Sequence, residues 1–568
     1  RPYLDRLGAK MDARTDDFPI WNGELYLQYH RGTLTSVAKN KANNRNAERA
    51  MRELEFAAAM AAAINGVEYP RKAIRELWDI VLLNQFHDIL PGTSIGAVYD
   101  DSDADYATLF AAMDSTQGPL QSVLNTICPP SKGQLWLVNF TGQNRDGELV
   151  EFRTAVDISG AAIRTVSGEA VLQSITRANG DTRFVAPVAD IPALGWSAAQ
   201  VGPAVEAAKS GLNVSDTHLE NDVIAVRFDE NGEISSIIDK SSARELIQPG
   251  KRANRLIAYE DKPKNYDAWD IDHYFEEKSW PLAEMLTKVE VVETGPHRAA
   301  LRIEHRYARS RIVQVVSLLD GQKQIEFDTE VDWQERQTLL KSGFPFDMNV
   351  SETRAEIQFG HVKRPSHKNT SWDQARFETS MQRWVDMSEP DFGAALLTDC
   401  KYGYDAVEQT VRLTLLKGPN VPDPDADLGL HHFRYALLLH QGEQDVSQVV
   451  RAAERFNNPI MVHGIVEKPV KGLLSLKVGL SFASIDNADL TLETVKIAEA
   501  GDKVVMRIFE HSSRRSTCRM QFAMTVSQVT ETDLMESIPG QSYDIVNNGV
   551  SLSFRPFEIK TLKVTFDR

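Results

Sequence analysis

A histidine and an aspartate stand side by side in the segment Asn84-Gln-Phe-His-Asp-Ile-Leu-Pro-Gly-Thr93, at the end of an apolar run with helical spacing. The imidazole of His87 could bind a metal ion, and the carboxylate of Asp88 could accept hydrogen bonds from hydroxyl groups. Successive helical residues point about 100° apart, so the two side chains would serve different partners. Taken alone, such a pair at a helix end is more often a structural pair than a ligand site.

A second candidate group lies in the segment Lys262-Pro-Lys-Asn-Tyr-Asp-Ala-Trp-Asp-Ile271. Aromatic faces stack on the C–H side of a sugar ring, and carboxylates accept hydrogen bonds from its hydroxyls. Asp267, Trp269 and Asp270 are therefore candidate sugar-binding residues. The alternative, a packed loop with a solvated acidic face, explains the same residues equally well.

The elements that position the His-Asp pair are predicted to be helices. Between residues 43 and 65, apolar residues recur at helical spacing, and Gly66 follows as a stop signal. A second helix is predicted to begin near Pro70 and to run through the His-Asp pair to Pro91-Gly92, and a third to span residues 95–127. Short connections between them predict a three-helix bundle.

Strand and turn patterns replace the helical pattern after Pro129-Pro130. Residues 223–228 and 234–238 flank the turn Asp229-Glu-Asn-Gly232, which predicts a β-hairpin. The predicted fold class is α+β, an N-terminal helical bundle followed by large antiparallel β-sandwich domains. The predicted domains are residues 1–130 (helical bundle), 131–205 (small β domain), 206–470 (large β-sandwich) and 471–568 (C-terminal β domain), with a linker at residues 206–213.

Composition narrows the class of protein. The 568 residues carry a formal net charge of -17, which disfavours binding to nucleic acid phosphates. The three cysteines are widely spaced, which predicts neither a disulfide framework nor a cysteine metal site and favours the cytoplasm. No apolar run is long enough to cross a membrane, so no membrane partner is expected.

Both candidate segments resemble those of family 38 glycoside hydrolases, α-mannosidases of the cytosolic and bacterial type. The segment Gly23-Glu-Leu-Tyr-Leu-Gln-Tyr-His-Arg-Gly-Thr-Leu-Thr-Ser36 is similar to one that lines the sugar site in that family. Further similar segments follow in order along most of the chain, among them residues 231–239, 358–365, 383–389 and 425–437. Because many short matches occur in the same order, chance is a poor explanation.

The resemblance implies roles for individual residues. His87 would be a ligand of an active-site Zn²⁺, Asp88 would contact the sugar, and His30 would form part of the wall of the sugar site. Asp267, Trp269 and Asp270 are expected to contribute to substrate binding. The implied partners are mannose-containing oligosaccharides, and a homo-oligomer is expected.

The same resemblance implies that essential groups lie outside these residues. A retaining glycosidase holds two carboxylates about 5 Å apart, and a zinc site takes three or four protein ligands. In the family, these groups come from an N-terminal α/β domain with a His-x-His-x-Asp-type motif, yet the 13 histidines here include no His-x-His. We therefore expect no catalytic residue in this chain, which would be a C-terminal part of a retaining α-mannosidase, inactive alone.

Two alternatives to an enzyme fragment stay open at this point. A β-sandwich architecture also hosts many non-catalytic functions, so the chain could be a carbohydrate-binding or assembly module. A scaffold for oligomerisation is the third reading.

Overall fold

The computed structural model describes residues 1–13, 21–203, 205, 206, 209–466, 476 and 479–567. Helices dominate the first part of the chain, and two more occur among the later strands. The helices are α1 (Pro2–Ala13), α2 (Ala38–Asn65), α3 (Arg71–Asn84), α4 (Gly96–Asp114), α5 (Pro119–Ile127), α6 (Ser371–Ala375) and α7 (Val446–Asn457).

Helix α2 is the central element of the helical region and packs against α3, α4 and α5. Its C-terminal half is rich in buried alanine, and it ends at Gly66, whose φ of +67° is the left-handed conformation expected at this position. At its other end, the carboxylate of Asp427 accepts hydrogen bonds from the backbone N–H groups of Val37 and Ala38. A loop of the β region therefore caps the helix that reaches toward the His-Asp pair.

Two predicted helices end earlier than their apolar patterns indicated. The second helix stops at Asn84, so His87 and Asp88 lie in the turns that follow it. The predicted third helix is two helices, because Gly118-Pro119 interrupts it and Pro119 begins α5. The described region thus packs four helices together, and the predicted three-helix bundle is not confirmed, while helix α1 buries none of its residues.

Strands make up most of the chain after Ile127. In the region up to residue 319, the strands are β1 (Gln134–Asn139), β2 (Glu148–Phe152), β3 (Ala162–Thr165), β4 (Glu169–Val171), β5 (Gln173–Thr176), β6 (Thr182–Val188), β7 (Gly195–Gly202), β8 (Asn213–Ser215), β9 (His218–Glu220), β10 (Ile224–Phe228), β11 (Ile234–Asp239), β12 (Arg244–Glu245), β13 (Arg255–Glu260), β14 (Ser279–Pro281), β15 (Leu286–Thr294), β16 (Arg298–Tyr307) and β17 (Ser310–Leu319). The predicted hairpin is confirmed as β10 and β11, whose turn places Gly232 at a φ of +74°.

The remaining strands follow from residue 324. They are β18 (Gln324–Trp333), β19 (Thr338–Pro345), β20 (Glu352–Ile357), β21 (Gly360–Pro365), β22 (Thr379–Ser380), β23 (Trp384–Ser388), β24 (Gly393–Thr398), β25 (Gly403–Val407), β26 (Thr410–Leu416), β27 (Gly429–His440), β28 (Met461–His463), β29 (Leu480–Ser481), β30 (Ala483–Ile485), β31 (Leu490–Ile497), β32 (Val504–Glu510), β33 (Ser516–Phe522), β34 (Val526–Thr532), β35 (Pro539–Ser542), β36 (Gly549–Phe554) and β37 (Ile559–Phe566).

These strands form antiparallel sheets, which confirms the α+β class. The largest sheet has the order β15-β16-β17-β18-β27-β24-β23-β20-β21, and it shares a core with the sheets β14-β13-β19-β26-β25-β22 and β12-β11-β10-β9-β8. The C-terminal sheets, β30-β33-β36 and β31-β32-β37-β34-β35, share a second core with helices α2 to α5. Helix α2 is therefore held between the two groups of sheets.

The predicted domain limits stay predictions, and one strand pairing bears on them. The sheet of the small β region has the order β28-β1-β7-β3-β4, with β29 paired to β7. The chain that follows α7 therefore returns to a sheet that began more than 300 residues earlier. Strands β28 and β29 lie on either side of the predicted limit at residue 470, which is outside the described residues. Among the helices described, none combines the length and apolar character that a membrane span requires.

Candidate functional site

Three segments that carry the predicted site residues meet around Ser36. The Ser36 hydroxyl donates a hydrogen bond of 2.6 Å to the carbonyl oxygen of Ala268, beside Trp269. On the loop after α3, a Cβ built on Gly92 would lie 2.1 Å from the carbonyl oxygen of Ser36, so only glycine allows this approach. The segments of His30, His87 and Trp269 are thus brought together from three distant parts of the sequence.

His87 presents its imidazole to solvent. The side chain is 75% exposed, and its ring contacts that of Phe86 at a tilt of 43°, with centroids 4.3 Å apart. Its Nε2 lies 3.5 Å from Oδ2 of Asp88, at the limit of a hydrogen bond. The imidazole is therefore accessible to a metal ion or to another part of the protein.

Asp88 uses one end of its carboxylate to shape the loop. Oδ1 accepts a hydrogen bond of 2.8 Å from the hydroxyl of Thr93, and the Asp88 carbonyl oxygen accepts others from Thr93, Ser94 and Tyr99. The side chain is 46% exposed. Oδ2 can therefore accept a hydrogen bond from a ligand while Oδ1 keeps the loop folded.

A buried lysine joins the His87 loop to the Ser36 segment. The amine of Lys41, on the first turn of α2, donates hydrogen bonds to the carbonyl oxygens of Leu90 and Ser36. The pKa of Lys41 is lowered to about 7, mainly by burial; the negative charge of Asp427 opposes this shift, and the positive charge of Lys401 contributes to it.

His30 and Trp269 lie beside an open aromatic edge. The Trp269 carbonyl oxygen accepts hydrogen bonds from the N–H groups of Gly32 and Thr33, just after the exposed His30. The ring of Tyr266 contacts Trp269 on one side and Tyr29 on the other, at centroid distances of 6.4 Å each. Both tyrosines are 61% exposed, which leaves aromatic faces available to a sugar.

The two acids of the Tyr266–Asp270 segment are in different environments. Asp270 is 2% exposed and forms an ion pair of 3.0 Å with Arg31, so its carboxylate faces protein rather than solvent. Oδ2 of Asp267 accepts a hydrogen bond from the N–H of Asn420, while its Oδ1 is buried without a hydrogen-bond partner among the described residues. Oδ1 of Asp267 thus has unused capacity to accept a hydrogen bond, but it is not open to solvent.

One pair of carboxylates shares a single amine. Lys341 binds Glu378 and Asp405, and Arg412 also binds Asp405. Desolvation raises the pKa of Glu378, whereas Arg412 and Lys341 outweigh desolvation and lower that of Asp405. Both carboxylates are nearly inaccessible to solvent, so a substrate could not reach them.

The region offers one candidate ligand for a metal ion, the imidazole of His87. Within the described ranges, no three His, Cys, Asp or Glu side chains lie close enough to hold a metal ion. The exposed imidazole of His87 has the chemistry of a zinc ligand, but a site needs two or three more. The described residues therefore fit a contribution to a metal site rather than a complete site.

Sequence reasoning identified the segments but missed the residues that assemble them. Arg31 and Ser36 lie within the segment quoted above, yet their partners, Asp270 and Ala268, are more than 230 residues away. Lys41 had no local signal. Asp427 lies in the similar segment 425–437, but nothing in its neighbourhood predicts that it caps a distant helix.

Comparisons with known proteins agree with this arrangement. The family models described as "Alpha mannosidase middle domain", "Glycosyl hydrolases family 38 C-terminal domain" and "Glycosyl hydrolases family 38 C-terminal beta sandwich domain" match residues 28–123, 219–425 and 489–562. The first match contains His30 and His87, and the second contains the Tyr266–Asp270 segment.

Curated relatives are similar over nearly all of this chain. "Alpha-mannosidase 2C1" of Mus musculus is 31% identical, over 98% of this chain and 52% of that protein. "Alpha-mannosidase G" of Dictyostelium discoideum is 29% identical, over 96% of this chain and 52% of that protein. The chain therefore spans about half the length of the curated relatives it matches.

A solved structure shares the fold. The crystal structure of an alpha-mannosidase from Enterococcus faecalis V583 superimposes with a TM-score of 0.79 at 16% identity, over 100% of this chain and 72% of that chain. The order of helical and β regions described above is thus found in an experimental structure.

Proposed function

The chain belongs to glycoside hydrolase family 38, and from this premise we propose that it forms part of a retaining α-mannosidase that hydrolyses terminal α-D-mannosides. The observation that carries this proposal is the convergence on Ser36 of the segments of His30, His87 and Trp269. Mannose-containing oligosaccharides are the proposed substrates, and Asp88, Asp267, His30 and Trp269 are the proposed substrate contacts.

The site is proposed to be one half of an active site. His87 would supply one ligand to a zinc ion, which would bind sugar hydroxyls and orient the ring. The remaining ligands, the nucleophile and the acid/base would come from protein outside these 568 residues. The length of the relatives supports this, since each extends about as far again beyond the matched region.

The surface beside His87 also supports the proposal that a further domain supplies the second half of the active site. Four large apolar side chains, those of Leu82, Leu83, Phe86 and Ile95, are each more than half exposed at the end of α3 and in the loop that follows. Large apolar side chains exposed close together in sequence are typical of an interface. A domain seated there would bring its own ligands and carboxylates to His87 and Asp88, and the chain alone would be inactive.

The proposed roles of Asp270 differ from the sequence expectation. Its carboxylate is enclosed with Arg31, which supports a positioning role rather than a contact with the sugar.

Cytoplasmic location and a homo-oligomer remain proposals. The cytoplasmic location is supported by the three cysteines, which are buried and free. Burial raises the pKa of one of these thiols, that of Cys518, to about 12.

The test uses the full-length gene product and its His87→Ala variant. We expect bound zinc, measured by mass spectrometry, and hydrolysis of 4-nitrophenyl α-D-mannopyranoside both to fall at least about 100-fold, because a lost ligand weakens metal binding and catalysis together. His273→Ala removes another exposed histidine and serves as the control. Unchanged zinc content and rate in His87→Ala would show that the ligand assignment is wrong.

A further inference from the structure

A cavity runs along α2, beginning two helical turns beyond Ala38, where α2 starts. Arg45, Arg49 and Phe56 line one wall, and the β20–β21 hairpin, the start of β23, the end of α7 and β31 line the others. Its volume is about 480 Å³, within the range of small-ligand sites. We name this cavity the α2 cleft. Its middle, near Arg49, lies about 16 Å along the helix from Ala38, at a rise of 1.5 Å per residue.

Acidic and basic side chains line the α2 cleft in equal number. The lining arginines are Arg45, Arg49, Arg52, Arg383 and Arg434, and the lining carboxylates are Glu48, Glu55, Glu356, Asp399 and Glu493. Five guanidinium groups thus face five carboxyl groups. Burial raises the pKa of Glu48, and that of Glu55 to about 7, so near neutral pH the cleft has at most a small positive excess with which to select an anion. It does offer many donors and acceptors, which suits a neutral ligand with many hydroxyl groups.

Two of the lining arginines, Arg49 and Arg434, have long ion-pair distances. The distance from Arg49 Nε to Glu53 Oε1 is 3.9 Å, and that from Arg434 Nε to Asp399 Oδ2 is 3.6 Å, both too long for hydrogen bonds. Arg49 Nε and Asp399 Oδ1 are buried and have no hydrogen-bond partner among the described residues. Both residues line the same cavity, and a buried donor and a buried acceptor need partners, which a ligand or water would supply.

Aromatic rings complete the lining. They belong to Phe56, Trp78, Phe359, Phe456 and Phe509. Guanidinium groups cover Phe56 and Phe456, each at 4.8 Å from the ring centroid. Trp78 and Phe359 are only partly buried, so their rings can pack on the C–H face of a sugar.

Phe359 adopts a backbone conformation that is rare for a bulky residue. Its φ is +57°, at the tip of the hairpin that joins β20 to β21. Its ring packs edge-to-face on Phe509, with centroids 5.4 Å apart. The strained hairpin therefore places an aromatic side chain at the edge of the cleft, where glycine would be the easier residue.

We propose that the α2 cleft is a binding site for a neutral saccharide, separate from the site around His87. Trp78 and Phe359 would stack on the sugar, Arg49 would donate to its hydroxyls, and Asp399 would accept from them. The inference does not depend on the proposed mannosidase activity, since it uses no residue of the Ser36 region.

The experiment measures binding of α-1,2-mannobiose, N,N′-diacetylchitobiose and maltotriose by calorimetry and saturation-transfer NMR. At least one should bind with a Kd on the order of 1 mM or tighter. Arg49→Met and Phe359→Gly should each weaken that binding at least tenfold. Phe359→Gly relieves the positive φ, so loss of binding in this variant cannot be attributed to a strained backbone.

Two further variants locate the bound sugar. Arg75→Met makes the matched change on α3, outside the cleft, and should leave the Kd unchanged. Binding that disappears in His87→Ala but survives in both cleft variants would place the sugar at the Ser36 region and overturn the proposal. It would also be overturned if none of the three saccharides binds, or if inorganic phosphate binds in an Arg49-dependent manner. If His87→Ala loses hydrolysis but still binds the saccharide, the proposed active site and the proposed saccharide site can be judged separately.

Discussion

The amine of Lys41 lies 2.9 Å from the carbonyl oxygen of Leu90, three residues beyond His87. Lys41 is 5% exposed and also donates to the carbonyl oxygen of Ser36. A single side chain at the start of α2 thus connects the loop of the proposed metal ligand to the segment of His30. Because a neutral amine keeps two N–H donors, the connection does not require a positive charge.

The first prediction concerns the pH dependence of stability. The folded pKa of Lys41 is about 7 and its ordinary value is 10.5, so the unfolded chain binds more protons between these values. The free energy of unfolding should therefore rise with pH in that window, by about 1.4 kcal/mol per pH unit more than in Lys41→Met. Urea unfolding between pH 7 and pH 10 measures both slopes.

A neighbouring lysine provides the control for this measurement. The side chain of Lys39 is 60% exposed and pairs with Asp103 at the surface, so Lys39→Met should keep the slope of the unmodified protein. Equal slopes in Lys41→Met and the unmodified protein would mean that the amine is charged when folded.

Local patterns predicted the elements well and the contacts between them poorly. The apolar spacing before Gly66 and the turn Asp229–Gly232 were sufficient because helices and hairpins depend on residues close in sequence. The end of α3 at Asn84 was missed, since the apolar residues Phe86, Ile89 and Leu90 continue the pattern in turns. Arg31 meets Asp270 across 239 residues, and no local pattern encodes such a partner.

The second prediction separates a positioning role of Asp270 from a sugar contact. Asp270→Asn leaves the buried Arg31 guanidinium without a counter-charge, and the loss of one partner in such a pair costs about 3 kcal/mol or more. Denaturant unfolding should register this loss. The double variant Arg31→Met with Asp270→Leu should recover part of it, because no buried charge is then left unpaired. A stable Asp270→Asn variant with impaired hydrolysis would instead indicate a direct contact with the sugar.

The third prediction addresses Asp88. Asp88→Asn keeps an oxygen for the Thr93 hydroxyl, so the free energy of unfolding should change by less than about 1 kcal/mol. The charge that faces the ligand is lost, and kcat/KM of the full-length protein for an α-mannoside should fall at least about 100-fold. Asp101→Asn, at an exposed position on α4, is the control and should keep full activity.

The last prediction tests the contact between Gly92 and Ser36. Gly92→Ala places a methyl group against the Ser36 carbonyl oxygen at a φ of +87°, so the loop must move. Gly66→Ala is the matched control, since its φ is +67° but nothing lies within 4 Å of the added Cβ. The control should cost about 1 kcal/mol of stability, and Gly92→Ala should cost at least about 1 kcal/mol more. Because the displaced loop carries His87, zinc content of the full-length protein should also fall in Gly92→Ala and not in Gly66→Ala. Equal stability and zinc content in the two variants would mean that the loop does not depend on its close approach to Ser36.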